Sequence, residues 1–346
     1  MACCEPSSRI GVPGAGSELP RINRRTVGLD FLLCAFHAGS GLIGRQWMRT
    51  VVVAIAAWSL SACRLLAHGT ETRGDAPSWT FDPWIVSPIL VLGLLYGLGS
   101  VILGRRARNG RERREWRTLA FLGAWLSLVA ALVSPLHWLG EHLFSFHMIE
   151  HEILMAVSAP LLVVAMPIGT ILWAFPRAIR LAAGRLLKTP AISANWAWLS
   201  VGRNATIVHG IAIWGWHAPV LFDAAVTSVA IHRLQHLSFL LTAILFWWSV
   251  FRRSNTGAAA WHVFVTMLHT SVLGALMALA PRVLYQSRNA SVANWRLTPL
   301  EDQQLAGLIM WVPAGTIYAG TALALLAVWI RHSSETGRSD DVLHPL

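Results

Sequence analysis

Runs of about 20 mainly apolar residues, the length that crosses a bilayer as a helix, dominate this chain. They lie at 84–103, 118–137, 146–168, 205–222, 235–251, 259–280 and 303–330. Inside a bilayer no water meets an exposed amide, so such a segment must close its own backbone hydrogen bonds as a helix. The fold class that follows is all-α: a polytopic membrane helix bundle of about seven transmembrane helices, filling residues 80–331. Charge agrees, because only 13% of the residues are Asp, Glu, Lys or Arg, against about a quarter in soluble domains. Pro160 and Pro167 interrupt the third run and predict a kink there. Gly93 and Gly97 give the first run a small-xxx-small pattern for close helix packing.

The net charge of +11 does not point to nucleic acid. The basic residues gather in alternate loops: Arg105, Arg106, Arg108, Arg111, Arg113, Arg114 and Arg117; then Arg177, Arg180, Arg185 and Lys188; then Arg252 and Arg253. By the positive-inside rule these loops are cytoplasmic. The N-terminus of the first span is then outside, and the short polar tail 332–346 is cytoplasmic and reads as disordered. Arg282, Arg288 and Arg296 in the last outer loop run against the rule without reversing it. Tryptophans such as Trp84, Trp116, Trp138, Trp173, Trp261 and Trp329 sit near the ends of the apolar runs, as an aromatic belt requires.

An outside N-terminus calls for a signal. Met48-Arg49-Thr50 followed by the apolar Val51–Ala62 reads as a secretory signal over 48–67, with a small-residue cleavage site near Ala62 or Ala67. The alternative is a retained extra transmembrane helix. Residues 1–47 resemble neither a domain nor a signal and are expected to be a non-native or disordered extension, with Met48 as the true start. Cys3, Cys4, Cys34 and Cys63 all precede the first span. A metal in the membrane core must therefore be held by His, Met or carboxylate.

Two histidine pairs head two different spans: His147/His151 and His232/His236, each with i, i+4 spacing that puts both rings on one helix face. Imidazoles within a membrane are a functional hypothesis by default, and these four are the expected metal ligands. Met148, Met155 and His217 are candidate exchange ligands; Asp302 and Glu150 are candidates to orient imidazoles through their ring N–H groups. A set of His and Met without Cys, facing an oxidising compartment, fits copper. His68, His137 and His142 are read as interfacial, bonded to water and headgroups. His209, His262 and His269 lie deeper and are read as interhelical hydrogen-bond glue, the alternative being a path across the membrane. Two rival sites stay open. His147-Met-Ile-Glu150-His151 matches the H-x-x-E-H pattern of an intramembrane zinc metalloprotease with Glu150 as general base. Paired histidines on facing spans can also bind haem through two axial imidazoles.

Three blocks in this order resemble the CtaG family of membrane cytochrome c oxidase assembly factors. The first is Ser134-Pro-Leu136, Glu141, Phe144, His147-Met148, His151 and Ala159-Pro-Leu-Leu162 to Pro167. The second is Trp216-His-Ala-Pro219, His232, His236 and Trp247-Trp248; the third is Asp302-Gln303, Gly307 and Met310-Trp311. Glu150 stands where the family pattern leads one to expect an amide, and the long N-terminal extension is a second departure. The resemblance implies a non-enzymatic, seven-span factor of the bacterial cytoplasmic (inner) membrane that supplies or inserts copper into the oxidase. Its implied partners are oxidase subunits or periplasmic copper chaperones and the lipid bilayer, with no nucleic acid.

Overall fold

The computed structural model describes residues 77–107, 110–285 and 295–343, which form helices and no strand. The signal segment 48–67, the 1–47 extension, His68, Arg108, Arg288 and the cysteines lie outside the described residues. Among the described residues thirteen α-helices follow one another: α1 (Pro83–Arg106), α2 (Arg111–Leu132), α3 (Pro135–His142), α4 (Phe144–Glu152), α5 (Ala159–Ala165), α6 (Pro167–Ile171), α7 (Arg177–Leu187), α8 (Pro190–Leu199), α9 (Gly202–Trp216), α10 (Pro219–Thr227), α11 (Val229–Trp248), α12 (Thr256–Ala278) and α13 (Pro299–Leu343). Among the described residues five continuous helical stretches are long and apolar enough to cross a membrane: α1, Phe144–Ala165, Val229–Arg253, α12 and Pro299–Ser333. Two bent pairs, α2 with α3 and α9 with α10, raise the number to seven when each pair counts as one span. The protein is a multi-pass membrane helix bundle.

The breaks have local causes. Ser134 ends the turn after α2: its hydroxyl accepts from the Leu136 amide at 3.2 Å, and Pro135 takes the first helical position, where its missing N–H costs nothing. The chain turns there by 44°. Pro219 likewise takes the first helical position of α10, here after Ala218 and with no side-chain cap, and the chain turns by 71°. In the third span Pro160 does not stop the helix. The preceding six residues, Ile153–Ser158, widen into a π-helical turn. Pro160 has no N–H to offer the Met155 carbonyl five residues back, and the indole N–H of Trp247 takes that place at 2.9 Å. The span ends at Met166, in the left-handed region at φ 49°, and Pro167 begins α6.

Packing is tightest between α12 and α13. A Cβ on Gly307 would fall on the backbone of Ala278 and Gly274, and one on Gly274 would meet the Gly307 carbonyl at 2.8 Å. On α1, Gly93 packs beneath the indole of Trp125 while Gly97 faces open space, so only half of the expected small-residue pair makes a close contact. Met155, Phe239, Phe246, Trp247 and Tyr318 form the largest buried cluster, with Trp247 and Tyr318 stacked at 5.7 Å. Leu94, Leu119, Ile211, Leu241, Leu268 and Leu323 point outward, as lipid-facing side chains do. The last helix runs on to Leu343, so residues 332–343 of the polar tail expected to be disordered continue the ladder of α13. The bundle has a histidine end, where α3, α4 and α11 begin, and an arginine end, where α1 stops and α2 and α7 begin.

Candidate metal centre

Helix α4 starts without a capping side chain of its own. Its first amides are instead bonded by Asp302 at the head of α13: Phe144 N to Oδ2 at 2.6 Å and Ser145 N to Oδ1 at 3.0 Å. A carboxylate at a helix N-terminus satisfies orphan N–H groups and favours the positive end of the dipole. This corrects the expectation for Asp302: both oxygens serve the backbone, and the residue fixes the helix that carries His147, Glu150 and His151 rather than an imidazole.

Each predicted pair does share a face, with ring centroids 4.2 Å apart for His147/His151 and 4.3 Å for His232/His236. The two helices then bring the pairs together. His147 lies 5.2 Å from His232 and 5.7 Å from His236; His151 lies 5.0 Å from His236. Glu150 enters between them. It is fully buried, accepts from or faces His137 Nδ1 at 3.1 Å, and stands 3.8 Å from His236 Nε2 and 4.0 Å from His147 Nδ1. One ligand atom from each of His147, Glu150, His232 and His236 lies within 4.8 Å of the other three. Glu150 fits because residue 140 on α3 is glycine: a Cβ there would come within 2.5 Å of its carboxylate.

The set that converges therefore differs from the expected one. Glu150 takes a place in the four-donor group, and His151 stands beside it. His217, at the break between α9 and α10, lies 6.3 Å from His151. Its Nδ1 bonds the Ile213 carbonyl at 2.7 Å, which makes Nδ1 the protonated nitrogen and leaves a lone pair on Nε2. Tyr285 holds the His217 carbonyl at 3.0 Å. Met148 packs among Phe144, Phe222 and Tyr285, and Met155 in the core with Phe239 and Trp247, so both thioethers sit in apolar clusters. His142 bonds the Trp138 carbonyl at 2.7 Å and stacks on the Trp138 ring. His137, read as interfacial, is buried and holds Glu150. Its recruitment depends on the bend at Ser134-Pro135, which swings α3 over the cluster. Glu141 approaches His137 from its other side, at 3.9 Å. Of the two carboxylates only Glu141, one turn on along the same helix, was readable in the sequence as a neighbour of His137.

The deeper histidines are joined singly to neighbours. His209 pairs with Thr242 at 3.0 Å, His262 with Thr206 at 3.2 Å, and Trp214 donates to His269 at 3.3 Å. Each bond crosses between helices, as glue does. Trp216 donates to Ser238 at 2.6 Å.

Three imidazoles and one carboxylate suit a borderline ion such as Cu(II) or Zn(II) more than a soft one, and the group has a partner that fixes it: His137 stands behind Glu150 as a second residue orients a ligand. A buried carboxylate among imidazoles would be costly with no cation near it. The residues present thus fit a metal ion.

Among curated proteins, the chain is 27% identical over 278 residues to an uncharacterized protein of Mycobacterium leprae (strain TN), and 28% identical over 288 residues to one of Mycobacterium bovis and one of Mycobacterium tuberculosis. Each alignment covers 76% of this chain and 41% of the relative, so the chain spans about two-fifths of the length of the curated relatives it matches. No solved structure matches it. Residues 94–332 match the family model for the cytochrome c oxidase caa3 assembly factor. That stretch holds every residue of the four-donor group, both broken spans and the Asp302 cap, and on it the chain belongs to the Caa3_CtaG family of cytochrome c oxidase assembly factors.

Proposed function

We propose that the chain binds one copper ion at its histidine end and passes it to cytochrome c oxidase during assembly, in a bacterial cytoplasmic membrane. The observation that carries this reading is the convergence of His147, Glu150, His232 and His236, with ligand atoms within 4.8 Å, from two spans. Copper is cargo here, and the residues act by ligand exchange. The imidazoles bind as neutral donors, so protons compete with the ion and affinity falls as pH falls. His151 and His217 extend from the four-donor group along α4 and α9, and they give a leaving ion nitrogen donors to step to. The positive-inside pattern supports placing this end outside, where an oxidase subunit or a periplasmic copper chaperone could meet it.

Elemental analysis with an absorption spectrum on the detergent-purified chain tests this. The reference is a variant with His147, His151, His232 and His236 all replaced by Ala. About one copper per chain that disappears in the variant is the expected result. Zinc in its place, with a cleaved client protein, would favour the metalloprotease reading; a Soret band would favour haem. Equal metal content in both proteins overturns the site, and intact oxidase assembly in cells carrying the variant would leave a scaffold role.

A further inference from the structure

Both helices that carry the four-donor group run on into a π-helical turn: Ile153–Ser158 follows α4 and Ser249–Arg253 follows α11. Such turns are rare and frequently mark functional sites. In the first, the Ala159 N–H reaches back five residues to the Leu154 carbonyl, so the turn holds one residue more than an α-turn. That residue decides which way α4 faces. On an unbroken α-helix, with about 100° between successive residues, His151 and Ala159 would lie about 80° apart round the axis. One residue taken up in the turn brings them to within about 20°. Ala159 and Val163 are buried in the cluster that holds Phe239, Ala243 and Trp247 of α11. The same side of the span therefore faces α11 along both segments: α5 packs small side chains there, and α4 presents His147 and His151 to His232 and His236.

The wide turn needs a partner from outside the helix. Pro160, five residues after Met155, has no N–H for its carbonyl, and an unmet carbonyl in the membrane core is costly. The buried indole of Trp247 supplies the bond at 2.9 Å, and its ring is fixed by stacking on Tyr318. The next residue is a natural contrast: the indole N–H of Trp248 is buried and meets no acceptor. We propose that Trp247 is a positioning residue for the metal centre: its bond to the Met155 carbonyl stabilises the π-turn, and the π-turn aims the α4 donors at those of α11. The inference rests on the copper-site reading above, because a site must exist for its donors to be aimed.

The test uses the full detergent-purified chain loaded with Cu(II), titrated against a chelator and recorded by electron paramagnetic resonance. Trp247→Phe keeps an aromatic ring and loses the N–H. Copper affinity should fall by about 10- to 100-fold, the usual cost of disturbing a residue that orients ligands, and the spectrum should change as nitrogen donors leave the ion. Trp248→Phe, which removes an N–H without an acceptor, should match the wild type in both readouts. Should Trp247→Phe fail to fold, benzothienylalanine at position 247 carries the same expectation, since it keeps the bicyclic shape and lacks only the N–H. Wild-type affinity and spectrum in the Trp247 variants overturn the positioning role and leave the copper site standing. An equal fall in Trp248→Phe does the same, because it would trace the loss to packing. A wild-type chain that holds no copper overturns the copper-site reading, and the positioning role with it.

Discussion

His209, His262 and His269 each meet a hydroxyl or an indole on a neighbouring helix, whereas the histidines at the other end meet one another and a carboxylate. Both groups are the same residue type in the same membrane helices. The difference is the partner. An imidazole with one neutral partner has its hydrogen bond satisfied and stops there, which is how polar residues join membrane helices. Imidazoles that crowd round Glu150 leave several donors converging on one point. Convergence, and not the presence of histidine, marks the site.

The widest gap between the two groups should open on matched double substitutions. His232→Ala/His236→Ala removes half of the four-donor group, and stoichiometric copper should vanish from the purified protein. His262→Ala/His269→Ala should leave the copper content at its wild-type value. Copper lost equally from both would break the comparison, because it would mean that any disturbance of the bundle releases the ion. Next in size is Gly140→Ala, which touches no ligand but sets a methyl group against the Glu150 carboxylate. Copper affinity should fall by about 10- to 100-fold, the usual cost of disturbing a residue that orients a ligand. Gly97→Ala, which meets nothing within 4 Å, is the control and should do nothing. A competition titration against a chelator reads both. The smallest effect belongs to His209→Ala: unaltered copper affinity, and a loss of stability of about 0.6 kcal/mol, typical of one interhelical hydrogen bond in a bundle. Equilibrium unfolding in mixed micelles would show it.

The spans were legible because apolar length is a local property, and so were the two histidine pairs, because i, i+4 spacing fixes a shared face whatever the rest of the fold does. Glu150 was visible as a residue but not as a member of the four-donor group. Its role depends on α3 folding over α4, which needs the 44° bend at Ser134-Pro135 and a glycine at 140 on a different element. His137 was misread for the same reason: on a straight span it would lie at the interface. The packing of the thioethers was not legible because one-turn spacing says which face Met155 shares with His151, not what that face packs against at that depth. Asp302 lay beyond any local pattern, being 157 residues from the amide of Ser145 that it holds.

That last contact sets an order of events in biosynthesis. Membrane spans enter the bilayer as the ribosome makes them, and the residues of the four-donor group are all in place once α11 has emerged. The cap on α4 comes two spans later. Until α13 is inserted, the first turn of α4 lacks the acceptor that squares its amides, and the ligands it carries are held less firmly. On the proposed reading, a chain truncated before residue 299 would contain all four donors and hold an ion only loosely. Asp302 thereby ties the firmness of the first turn of α4, and of any ion held at the proposed site, to the insertion of α13.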